Sequence, residues 1–131
     1  MGESQYYYSL VLNQSNCCLL IPPNEYYVFG CNDFGGANGG ILNINYEYNR
    51  ENFNLGNSDD EIIIIDNYGY EINRVEYDGG TTFPDPDGKS MELNFYNNDN
   101  SLGSNWVESE NLLPSGDYGT PGYANSMLKP E

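Results

Sequence analysis

The stretch Asn52–Asp78, NFNLGNSDDEIIIIDNYGYEINRVEYD, constrains the fold of this chain more than any other part of it. Ile62–Ile65 is a continuous apolar run bounded by acids, too short for a membrane span and too β-branched for a good helix. Beyond Gly69, Glu71–Tyr77 alternates, with Asn73, Val75 and Tyr77 on one face and Ile72, Arg74 and Glu76 on the other. The link Asp66-Asn67-Tyr68-Gly69 supplies residues that tolerate positive φ, so the spacing predicts a β-hairpin over Glu61–Asp78. The block argues for an all-β fold and reveals no reaction.

The rest of the chain agrees. Its 131 residues suit one domain with a modest core. Tyr, Asn and Gly are abundant and Ala is nearly absent, which removes most support for helices. Further strands are expected at Tyr6–Leu12, Cys18–Ile21, Tyr26–Phe29, Ile41–Tyr48 and Ser90–Tyr96. In Ile41–Tyr48, Leu42, Ile44, Tyr46 and Tyr48 mark one face. Asn32–Gly40 reads as a flexible loop by composition, and Gly79–Lys89 as a Pro/Gly/Asp loop. Residues 97–131 are mostly irregular, with Trp106-Val107 as their anchor. Short strands at fairly regular spacing, together with the hairpin, argue for a β-sandwich.

Twenty acids against four bases give a formal charge of −16. Such a field repels phosphate backbones and anionic lipid, so neither nucleic acid nor membrane insertion is expected. A solvated acidic surface explains the charge as well as any cation site does. No basic segment followed by an apolar one marks a secretory signal in residues 1–30, and no apolar run approaches membrane-spanning length. Cys17, Cys18 and Cys31 make a poor disulfide framework; they read as small buried residues or as a single bridge.

The absence of histidine excludes Ser-His-Asp and Cys-His catalysis, and with no CxxC spacing it disfavours zinc. Asp59-Asp60-Glu61 and Asp85-Pro86-Asp87-Gly88 are the best candidates for glycosidase-like chemistry, and such clusters are ordinarily turns or solvated loops. No enzyme is expected. Calcium is the one cofactor with candidate ligands: Asp85, Asp87 and Asp99 lie in loops with Asn97, Asn98 and Asn100, which offer hard oxygens, although the EF-hand pattern is not met. Tyr6, Tyr7, Tyr8, Tyr26 and Tyr27 must face both sides of their strands, and exposed members suit carbohydrate or protein contact or an ordinary sheet surface.

Several pieces, taken in order, resemble the lamin tail domain family. They are IPPNEYYVFG at Ile21–Gly30, FNLGNSDDEIIIID at Phe53–Asp66, GYEINRVEY at Gly69–Tyr77, GKSMELN at Gly88–Asn94, NWVES at Asn105–Ser109 and GTPGYAN at Gly119–Asn125. The resemblance implies an immunoglobulin-like β-sandwich over residues 1–131 with the four Ile of Ile62–Ile65 in its core, a non-catalytic interaction or structural module. In bacteria such domains are often attached to secreted or surface proteins, which implies an accessory role outside the cytoplasm and a protein or cell-surface partner. Within nuclear lamins the domain binds proteins and DNA, and the charge here argues against carrying over the DNA. Members normally begin with an extra strand region that is largely missing here. Either the chain is a fragment, or Tyr6–Leu12 takes that place, or another chain completes the sheet. Asn73 stands where the family usually carries Asp, which weakens a cation role there. A calcium- or carbohydrate-binding module and a strand-exchanging, self-associating domain are the alternatives.

Overall fold

The computed structural model describes residues 21–128, which fall into two compact units divided between Asn54 and Leu55. The expected strand at Tyr6–Leu12, Cys17, Cys18 and all but the last residue of Cys18–Ile21 lie outside the described residues. Among those residues the chain is all-β: six short strands, two 3-10 turns and no α-helix.

In the first unit, Pro22–Glu25 forms a turn closed by the Glu25 amide on the Pro22 carbonyl, with Asn24 at a φ of 62°. It leads to β1 (Phe29–Gly30), which pairs in parallel with β2 (Tyr46–Glu47). Both strands are shorter than the apolar alternation predicts. Just before β2, the Asn45 side chain accepts the Val28 N–H at 2.8 Å, so a side chain takes a donor that a longer ladder would have used. Leu42 is exposed, while Ile44, Tyr46 and Tyr48 are half-buried. The Asn- and Gly-rich loop is tied down rather than free: Asn38 donates to the Asn32 and Ile41 carbonyls at 3.0 and 2.8 Å and accepts the Ile41 N–H at 2.9 Å. Cys31 is an exposed free thiol, which corrects the expectation of burial or bridging at this residue.

In the second unit the predicted hairpin is present as β3 (Asp60–Ile65) and β4 (Glu71–Tyr77), antiparallel, with Ile62 opposite Val75 and Ile63 opposite Arg74. The Asp66 carboxylate organises the turn by accepting the Tyr68 and Tyr70 N–H groups at 2.9 and 2.8 Å, and Gly69 takes a φ of 89° that most side chains would resist. Register slips between Ile64 and Ile65. The Ile run does not form a core: Ile62, Ile64 and Ile65 are 40, 52 and 58 % exposed. A two-stranded sheet hydrogen-bonds β3 on one edge and leaves its faces half-open, so β-branching fixed the strand without burying it.

β5 (Met91–Leu93) and β6 (Trp106–Glu108) pair antiparallel, with Leu93 opposite Trp106. Phe83 is the buried hydrophobic side chain of this unit, its ring 6.0 Å from that of Trp106. Gly103, also buried, lies so close to the Thr82–Phe83 backbone that a Cβ would collide with the Thr82 carbonyl. The Trp106 indole donates to the Asn100 carbonyl at 2.9 Å, fixing the expected anchor of the irregular C-terminal part.

Candidate functional site

Two features of the second unit hold most of its chemistry: a buried carboxylate behind β5 and the open surface of the β3–β4 hairpin. Glu92 is 4 % exposed at the centre of β5, opposite Val107. Thr120 donates its hydroxyl to Oε1, and the Ser126 N–H donates to Oε2 at 2.8 Å. Ser109, fully buried, adds its hydroxyl, and Asn125 donates to the neighbouring Leu93 carbonyl at 2.8 Å. Burial pushes the Glu92 carboxyl up, but the donors from Thr120, Ser109 and Ser126 outweigh it and hold it below the usual glutamate range. The residues satisfy one another, and the cluster acts as a clasp that fastens three distant segments. The sequence reading missed it. The only local signal was alternation, which sets Glu92 on the face opposite Met91 and Leu93.

Asp78, just past β4, is the second organising acid. Its carboxylate accepts the Thr82 and Phe83 N–H groups at 2.9–3.0 Å and the Thr82 hydroxyl at 2.6 Å. These donors, led by the Phe83 amide, bring its pKa down to about 2. The loop they shape carries Pro84, Asp85 and Pro86, which with Tyr77, Phe83 and Met91 line a shallow cleft of about 150 Å³. Lys89, also on its wall, is held at 2.8 Å by Glu108 and lies over the Tyr118 ring.

Around the hairpin, Arg74 is clamped by Glu71 at 2.8 Å and Glu76 at 2.9 Å. At the other end, Tyr77 donates its hydroxyl to the Gly56 carbonyl at 2.6 Å, and the Gly56 N–H donates to Asp60 at 2.6 Å. Burial, reinforced by Asp60, Asp59 and Glu61, pushes the Tyr77 hydroxyl up to about 12. Asp59, Asp60 and Glu61 place three carboxylates in succession where β3 begins. Between these charges the surface is apolar and aromatic: Ile62, Ile64, Ile65, Tyr68, Tyr70 and Ile72 are all exposed.

Of the candidate calcium ligands, Asp85 lines the cleft, Asp87 is exposed in the same loop, and Asp99 accepts the Ser101 N–H and hydroxyl in a turn of its own. The Ser101 donors hold the Asp99 carboxyl below its usual range. Among the described residues no group of three or more Asp, Glu, Cys or His side chains is placed to hold a metal ion. Comparison with protein-family models, curated proteins and solved structures returns no significant match.

Proposed function

We propose that the chain is a lamin-tail-like domain with an immunoglobulin-like sandwich as its full architecture, acting as a non-catalytic interaction module of an extracellular or cell-surface protein. The observation that carries the binding role is the hairpin surface, where large apolar side chains stand exposed along a regular strand pair. Alternation sets Ile62 and Ile64 on one face of the pair and Ile72 on the other, and exposed large apolar side chains gathered on one element are a common mark of a contact surface. The family reading draws support from the Glu92 clasp, because three of the resembling pieces meet there: GKSMELN supplies Glu92, NWVES supplies Ser109, and GTPGYAN supplies Thr120 and Asn125.

The test joins the reading frame on both sides of this sequence to a turnover panel. An export signal with an adjoining catalytic or anchoring domain is expected, and the purified chain should hydrolyse no glycoside, ester or phosphoester. Turnover of any of these that Asp59→Asn or Asp85→Asn abolishes overturns the reading. A frame encoding this domain alone, without export, overturns the accessory role.

A further inference from the structure

Among the described residues β3 is an edge strand. It pairs with β4 and with no other strand among those residues, so its far edge has no ladder partner among them, although the Glu61 N–H is already accepted by the Asp60 carboxylate at 2.9 Å. An edge of this kind is a template for another strand unless charged side chains, proline, a β-bulge or a covering segment blunts it. β3 contains neither lysine nor proline; its acids Asp60 and Glu61 lie at its start and its register slip at its end, and between them Ile62 and Ile64 are exposed.

What would cover it is set by charge. Asp59, Asp60 and Glu61 stand at one end of the Ile run and Asp66 at the other. The one cation of the hairpin, Arg74, is already matched by two carboxylates. A second copy is a poor occupant, because two-fold antiparallel pairing centred on Ile62–Ile65 sets Glu61 directly against the other copy's Asp66. Like charges placed opposite one another destabilise a sheet, and the −16 charge of each chain adds long-range repulsion. A strand with an apolar centre and basic ends meets the reverse situation: its side chains extend the Ile surface while its cations face the acids.

We propose that the outer edge of β3 receives an extended segment of another protein, apolar at its centre and flanked by lysine or arginine, as an added antiparallel strand. This rests on the interaction-module reading and specifies its mode. Backbone pairing supplies affinity that tolerates sequence variation, and the terminal charges select the partner and speed encounter.

The experiment titrates the full chain with a synthetic Val/Thr-alternating peptide flanked by lysines, and with its glutamate-flanked twin, following backbone amides by NMR. Expected are shifts and slowed exchange confined to Asp60–Asp66 and its β4 neighbours, with the twin at least about tenfold weaker. Raising salt from about 0.02 to about 0.5 M should cost the lysine peptide about tenfold in affinity, since the Debye length shortens severalfold. Asp59→Lys, an exposed substitution, should narrow the preference, and Ile64→Thr should weaken both peptides while preserving the strand. Equal binding of the twins, a footprint on β5–β6, or a concentration-dependent homodimer blocked by Ile64→Thr each overturns the proposal. Absence of binding by both peptides also overturns it, while leaving the module reading to be judged on reading frame and turnover.

Discussion

Glu92 shows how much a single side chain can organise. A carboxylate that accepts from two hydroxyls and a backbone amide is stable where it lies only while it stays ionised and every donor is present. Glu92→Gln turns one acceptor into a donor facing donors, and should cost on the order of 1–3 kcal/mol in chemical denaturation. Asp78 gives the acid dependence its shape. Its folded pKa of about 2 lies below the ordinary 3.8, so its contribution is complete above 3.8 and is lost as pH falls toward 2. Glu92, also lowered, acts in the same direction as pH drops below its ordinary 4.5. Thermal midpoints followed by circular dichroism should therefore be flat from about pH 7 to about pH 5 and fall steeply below. Asp78→Asn should lower the midpoint near neutrality and converge on the parent at about pH 2. Neither acid was legible in the sequence as a keystone, because what distinguishes each from its exposed neighbours is a set of donors. For Asp78 those lie four and five residues away, and for Glu92 as many as 34.

At the scale of elements, legibility followed locality. The hairpin was readable because an apolar β-branched run, a turn with Asp and Gly, and an alternating return strand lie within about twenty residues, where contact costs little loop entropy. Burial of its Ile was misread, since a strand's sequence states how it alternates and not what packs on it. β1 and β2 were read too long because Asn45 spends its side chain on a neighbouring amide. The 3-10 turn at Gly103–Asn105 depends on the close approach of Gly103 to the Thr82–Phe83 backbone. Gly103→Ala should therefore lower stability by about 1–3 kcal/mol through overpacking against a part that cannot rotate away. Tyr77→Phe tests the opposite end of the unit. Removing its hydroxyl from the Gly56 carbonyl should cost about 1 kcal/mol and delete a tyrosinate step at about pH 12 from an alkaline absorbance titration.

At the scale of the molecule, the described residues of the second unit bury more polar than apolar side chains. Among the described residues Phe83 is the hydrophobic side chain with under a tenth of its surface exposed, while Glu92, Ser109 and Thr120 are buried around shared hydrogen bonds. With −16 net charge, self-repulsion opposes compaction, so about 0.5 M sodium chloride should raise the thermal midpoint by a few degrees. Composition made the charge and the all-β class plain. It gave no view of the division at Asn54, because Asn and Gly punctuate both units alike. The placement of Trp106 has a practical consequence. It is the chain's only tryptophan, seated in β6 beside Phe83 with its indole N–H fixed on Asn100. Indole emission is therefore a private optical channel to that one sheet, and far-ultraviolet dichroism averages over every strand. If the two signals part company on heating, the β5–β6 region is melting as a unit of its own.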